Sequence, residues 1–236
     1  MKALITGHKG FIGSFLYDHL RYQFGDTVDG IDFPDDIANF KTDKVYDVVI
    51  HLAAFAAIRD SIDNPDKFWD NNVEKSVPIF DYCRNNNVRL LYASTAQVEE
   101  WWQNPYGITK KVNEFMARDI PNSVGMRFQT VYGDNSRPDM LYRMLEDKTA
   151  KYITNHARDW IHVKDVVRAI CYLIPSTYTG IIDVGTGETT EVRKLAQSFG
   201  QGDLPIKTDT PGERNITCAD TTKLRELGWF PTIKIL

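Results

Sequence analysis

Tyr106 and Lys110 stand four residues apart in the run Asn104-Pro105-Tyr106-Gly107-Ile108-Thr109-Lys110, a spacing that puts both side chains on one face of a helix. Asn104 reads as the N-cap and Pro105 as the first helical residue, so Tyr106 falls in the first turn. An ammonium about 5 Å from a phenolate, at an effective dielectric near about 20, is worth roughly 3 kcal/mol and would lower a tyrosine pKa by about two units. The positive end of the helix pushes the same way. Such a phenol suits a general base that removes a hydroxyl proton. The apolar run before it ends in Ala93-Ser94-Thr95, where the Thr95 hydroxyl can hydrogen-bond the oxygen that loses the proton.

A Tyr and a Lys four apart occur in many helices, so the pair takes its meaning from its company. That company is Thr6-Gly7-His8-Lys9-Gly10-Phe11-Ile12-Gly13, a glycine turn joining an apolar run to an amphipathic one. Glycines there allow a tight turn and let backbone N–H groups approach a pyrophosphate, which also meets the positive end of the following helix. The next apolar run ends in Gly30-Ile31-Asp32, about 20 residues on, where a carboxylate can accept hydrogen bonds from an adenosine ribose. Asp32 would repel a 2′-phosphate and favours NAD over NADP. Lys9, a cation inside the turn, pulls toward the phosphorylated cofactor.

Positioning these residues requires alternating strands and helices. Short apolar runs predict strands at Ala3 to Thr6, Thr27 to Ile31, Asp47 to Leu52, Arg89 to Ala93, Val124 to Phe128 and Gly180 to Val184. Amphipathic stretches predict helices at Phe11 to Tyr22, Pro65 to Asn85, Pro105 to Ala117, Met140 to Glu146, Val163 to Ile174 and Glu191 to Phe199. This alternation is that of a doubly wound parallel α/β sheet, a Rossmann fold. The chain of 236 residues suits one such unit: residues 1–133 form mainly the dinucleotide-binding region, and residues 134–236 a mixed region with a small substrate-binding cap.

Composition removes several function classes. The 28 basic and 32 acidic residues give a net charge of -4 without a concentrated positive stripe, which argues against nucleic acid as a partner. Cys83, Cys171 and Cys218 are far apart and lack C-x-x-C spacing, so neither a disulfide framework nor a metal site is expected. No apolar stretch approaches the length of a membrane span, and no signal-peptide pattern opens the chain; a cytoplasmic, membrane-free protein is expected.

Taken together, the blocks TGHKGFIG, DVVIHLAA, NNV, LLYAST, PYGITK, RFQTVYG, RDWIHVKDV, DVGTGE and ADTTKLRELGWFP resemble, in order and over nearly the whole chain, the NAD-dependent epimerase/dehydratase family of extended short-chain dehydrogenase/reductases. The resemblance implies a pyrophosphate on Gly7, Gly10, Phe11, Ile12 and Gly13, and adenosine near Asp32, Asp36 and Ile37. It places Leu52, Ala53, Ala54 and Asn72 further along an NAD molecule, with Tyr106, Lys110, Phe128 and Val131 near the nicotinamide. Thr95, Tyr106 and Lys110 match the family's catalytic residues. Thr130 and Arg158 match positions that contact the nucleotide-sugar substrate, Arg158 at the diphosphate. The activity implied is transient oxidation of a sugar hydroxyl, with the 4-position of a hexose as the first expectation and a homodimer as the assembly.

This sequence departs from the family in places. Dehydratases carry an acid after the catalytic Thr; Ala96-Gln97 stands there and can move no proton. Thr130 replaces a common Asn, and Thr210-Pro211-Gly212-Glu213-Arg214 lacks the usual preceding Arg. Only ten residues separate Thr95 from Tyr106, fewer than the resemblance implies, so an open pocket wall is expected, with Trp101 and Trp102 either replacing part of that wall or serving plain loop packing. A keto-sugar reductase that releases its cofactor, and a catalytically silent dinucleotide-bound regulator, remain as alternatives.

Overall fold

The six apolar runs become the six strands of one all-parallel sheet in the computed structural model, which describes residues 1–236. In chain order, β1 (Ala3–Thr6), β2 (Val28–Ile31), β3 (Val48–His51), β4 (Arg89–Thr95) and β5 (Ser123–Phe128) come first. Three outlying strands follow, β6 (Thr130–Tyr132), β7 (Ile153–Thr154) and β8 (Ala157–His162), before β9 (Gly180–Val184) rejoins the sheet; β10 (Thr189–Glu191) and β11 (Ile206–Lys207) are again outlying. The sheet order is β2-β1-β3-β4-β5-β9. The chain thus starts in the middle, runs outward to β2, and returns on the other side at β3, leaving a crevice at the carboxyl ends of β1 and β3 where ligands bind in such sheets.

The helices are α1 (Phe11–Phe24), α2 (Ile58–Asp63), α3 (Pro65–Asn72), α4 (Val77–Asn86), α5 (Pro105–Met116), α6 (Leu141–Glu146), α7 (Val163–Leu173), α8 (Val192–Ser198) and α9 (Thr222–Glu226). Successive strand residues point to opposite faces, and both faces are covered. Ala3, Ile5, Ile50, Leu91 and Met126 pack against Leu16 and Leu20 of α1 and Val166, Ile170 and Leu173 of α7. On the other face Leu4, Val49 and Leu90 pack with Ile79, Phe80 and Cys83 of α4. Burial on both sides is why these strands read as continuous apolar runs rather than alternating ones. A third, smaller core of Tyr132, Leu145, Ile153, Trp160 and Leu195 holds the outlying strands to α6 and α8.

The single helix expected over Pro65 to Asn85 is instead two, with a 3-10 turn at Glu74–Ser76 between α3 and α4. Pro78 is the cause. Inside a continuous helix its ring would strike the carbonyl four residues back, whereas in the first turn of α4 it is tolerated. The remaining boundaries shift by one or two residues, β4 running on to Thr95 so that the threonine ends the strand.

Candidate active site

At the carboxyl ends of these strands lies a cavity of about 810 Å³, one wall made by the glycine turn, β4 and α5 and the other by α6, β7 and β8. Gly7, Gly10, Phe11, Ile12, Gly13, Leu52, Ala54, Thr95, Tyr106, Lys110, Phe128, Thr130, Val131 and Arg158 all line it. Residues named from widely separated motifs therefore share one wall-to-wall space.

Asn104 caps α5 as expected, its side-chain oxygen accepting from the Gly107 N–H at 2.7 Å, with Pro105 in the first turn. This fixes Tyr106 against β4, near the Thr95 hydroxyl, and both side chains line the cavity. Thr95, Tyr106 and Lys110 are 7%, 8% and 2% exposed. Burial decides their proton affinities. It raises the Tyr106 phenol above its ordinary value, and the nearby Thr95 hydroxyl and the Arg137 guanidinium pull it back only in part. It lowers the Lys110 ammonium from 10.5 to about 7. The expected two-unit depression of Tyr106 by Lys110 is thus absent: a lysine that has itself lost much of its hold on a proton is a weak source of field.

The glycine turn has no room for side chains. A Cβ at Gly7 would stand 2.6 Å from the Ala53 nitrogen, and one at Gly13 only 2.0 Å from the Gly7 oxygen. Helix α1 begins at Gly10 without a side-chain cap, so its first N–H groups stay available where Phe11 and Ile12 face the cavity. That is an anion-binding helix end. Asp32 lies beside it, accepting from the Lys9 N–H at 2.7 Å and the Phe33 N–H at 2.9 Å. A carboxylate has about four lone-pair sites, which leaves acceptors for ribose hydroxyls. The residues present therefore fit a dinucleotide.

Several expected contacts fall elsewhere. Ile37 is buried in the α4-side core. Asp36 is tied to Lys75 at 3.2 Å and to the Ala38 N–H. Asn72 is fully buried behind the wall, its amide holding the Phe55 N–H and carbonyl and the Thr109 hydroxyl, so it shapes the loop after β3 rather than facing the cavity. Ala53 likewise packs under Gly7, its N–H given to Thr6 Oγ1 at 3.3 Å. Lys9 Nζ donates to the Phe33 carbonyl at 2.8 Å. Trp101 and Trp102 pack edge-on to each other, 6.0 Å between ring centroids, and stay outside the cavity.

The far end of the cavity is cationic. Arg158 donates to His156 Nδ1 at 2.7 Å and to the Asn215 carbonyl at 3.1 Å. Burial and the Arg158 charge lower the His156 pKa, so the ring is neutral and its Nε2–H meets Thr210 Oγ1 at 3.2 Å. Arg59 pairs with Glu213 at 2.8 Å and donates to the Tyr152 hydroxyl at 2.6 Å; Glu213 also stands 3.6 Å from Arg158. Sequence reasoning missed Arg59, Tyr152, His156 and Glu213, which come from α2, the α6–β7 connection, the β7–β8 connection and the tail. Their separation in the chain leaves no local signal. Arg137 also lines the cavity and donates to the Ala56 carbonyl at 3.3 Å.

A family model described as the NAD dependent epimerase/dehydratase family matches residues 3–185. Protein CapI of Staphylococcus aureus is 33% identical over 232 residues, covering 74% of this chain and 69% of CapI. A bifunctional UDP-glucose 4-epimerase and UDP-xylose 4-epimerase of Pisum sativum is 26% identical over 274 residues, covering 92% and 77%. Among solved structures, MoeE5 in complex with UDP-glucuronic acid and NAD has a TM-score of 0.88 at 23% identity, covering 100% of this chain and 95% of MoeE5. The UDP-glucose 4-epimerase of Thermotoga maritima with UDP-glucose has a TM-score of 0.80 at 24% identity, covering 100% and 95%. At such identities the structures speak for the fold.

Proposed function

Since the chain belongs to the NAD-dependent epimerase/dehydratase family, we propose that it is an NAD-dependent nucleotide-sugar epimerase that inverts the 4-position of a hexose through a keto intermediate. The observation that carries this reading is the burial of Thr95, Tyr106 and Lys110 together in the wall of a cavity that also takes in the glycine turn.

NAD in that cavity supplies a reversible acceptor for the hydride of the sugar carbon. Its pyrophosphate would rest on the N–H groups around Gly10 to Gly13, and its adenosine ribose on Asp32, whose charge favours NAD over the 2′-phosphorylated form. Thr95 hydrogen-bonds the reacting hydroxyl. Tyr106 takes the hydroxyl proton as the C–H pair leaves, so the oxygen becomes a carbonyl; it returns the proton to the same oxygen when hydride comes back to the opposite face. Phe128 and Val131 enclose the reaction zone, and Arg158 with Arg59 anchors a diphosphate while the sugar turns, Thr130 lying between. Burial raises the Tyr106 phenol in the cofactor-free protein, and the positive charge that a bound oxidised nicotinamide would bring into the cavity would help it release its proton. Ala96 and Gln97 offer no acid for eliminating water, which argues against dehydration.

Denaturing the purified protein should release about one NAD per chain, because an epimerase regenerates its cofactor within each turnover. An empty site that answers to added NADPH would instead support the reductase reading. The same reading includes a homodimer formed through α4 and α5, where Val77 and Phe115 lie exposed.

A further inference from the structure

Three consecutive tail residues each hold a different part of the site. The Gly212 carbonyl accepts from the Asn104 amide at 2.9 Å, at the cap of α5. Glu213 joins Arg59 at 2.8 Å and stands 3.6 Å from Arg158, at the diphosphate end. Arg214 reaches the β4–α5 connection, Ala96–Gln103, where it donates to the Ala96 carbonyl at 2.8 Å and pairs with Glu99 at 2.7 Å and Glu100 at 3.3 Å. The backbone just beyond it is fixed to β8 at the residue before Arg158: the Asn215 carbonyl accepts from the Ala157 N–H at 3.0 Å, and the Thr217 N–H donates to the Ala157 carbonyl at 3.1 Å.

The connection that Arg214 grips has little to hold its own shape. It is a pair of 3-10 turns broken at Glu100, where φ is -125° and ψ 47°, and the hydrogen bonds of such turns have poorer geometry than those of an α-helix. Exposed ion pairs contribute little, but the Arg214 side chain is only 13% exposed and one of its partners is the carbonyl of buried Ala96. The planar fork of a guanidinium can serve all three partners at once. The Ala96 carbonyl belongs to the turn that Thr95 caps, the Thr95 hydroxyl accepting from the Gln97 N–H at 3.3 Å. With a lone pair used in this way, the hydroxyl proton stays available to the reacting oxygen. We propose that Arg214 is a positioning residue: it holds the Ala96–Gln103 connection, and through it the Thr95 hydroxyl, in a place set by the same tail segment that fixes Arg59 and Arg158. This rests on the nucleotide-sugar reading of the site. Binding of a diphosphate at one end of the cavity then firms the turn that orients Thr95 at the other.

The test combines amide hydrogen exchange over residues 96–103, with and without saturating UDP, and steady-state turnover of UDP-glucose. In the wild type UDP should slow exchange in this segment by at least about threefold. Arg214→Ala should still bind UDP within about threefold of the wild type, but its 96–103 segment should exchange about tenfold faster and no longer respond to UDP, since charge-assisted hydrogen bonds are lost there. Its kcat should fall by about tenfold to a hundredfold, with KM within about threefold. If Arg214→Ala does not fold, the double variant Glu99→Ala/Glu100→Ala breaks the same clamp from its more exposed side and is read by the same two criteria. An equal UDP effect on exchange in wild type and variant, or a loss of kcat matched by an equal loss of UDP affinity, overturns the positioning role. Failure of UDP to bind the wild type overturns the nucleotide-sugar reading and the proposal with it. The expected exchange pattern without turnover of UDP-glucose overturns the epimerase chemistry alone.

Discussion

Tyr106 and Lys110 are held in states that suit chemistry better than stability. The buried Lys110 ammonium has its pKa lowered from 10.5 to about 7, so the unfolded chain binds a proton that the folded one gives up between those values. The resulting cost to the fold grows as pH falls from 10.5 toward 7 and is full below that. Lys110→Met should therefore stabilise the cofactor-free protein at pH 7 by a few kcal/mol, about 5 at most, while abolishing turnover. A lower melting temperature for this variant would contradict it. His51 behaves alike below neutrality. It is buried under the glycine turn between Thr6 Oγ1 at 2.7 Å and Ser76 Oγ at 3.0 Å, and burial, then the Lys110 charge, lower its pKa from 6.5 to about 3. The unfolded chain takes up a proton there first, so stability is lost as pH falls through that window, by up to about 5 kcal/mol. His51→Gln should flatten the fall of melting temperature between pH 7 and pH 4; parallel curves for the two proteins would refute the assignment.

At the level of elements, α5 connects capping to chemistry. Asn104 closes the first turn and its amide also donates to the Gly212 carbonyl at 2.9 Å, so it joins the Tyr106 turn to the tail. Asn104→Ala should cost about 1 kcal/mol in chemical denaturation, with a larger proportional fall in kcat than in substrate affinity, because Tyr106 loses its fixed position. Equal loss in both would mean the cap is only structural. Such caps were legible in the sequence, as were the six sheet strands, since burial on both faces writes them as unbroken apolar runs. The short outlying strands were not. β8 carries Arg158 and Asp159, charges that argue against a strand until the fold supplies partners: the buried Asp159 carboxylate accepts from the Thr186, Gly187 and Ala219 N–H groups. The glycine turn, Thr95, Tyr106 and Lys110 were readable because local spacing defines them. Arg59, His156 and Glu213 were not, because only the tertiary fold brings them together.

For the whole molecule, the chain's interleaving matters most. After β5 it leaves to build the outlying strands, returns through α7 and β9 to the main sheet, and leaves again. Neither part is complete without the other, and the cavity lies between them. The apolar residues exposed on α4 and α5 predict a dimeric mass in solution scattering, and a monomeric mass across the working concentration range would overturn that proposal. What most directly tests the central claim is the fate of the hydrogen on the sugar carbon. Incubated with UDP-glucose deuterated at C4, the protein should yield the 4-epimer with the label retained and none gained from solvent, and Tyr106→Phe should yield none while still binding NAD. Loss of label to water, or full activity in Tyr106→Phe, would contradict the account.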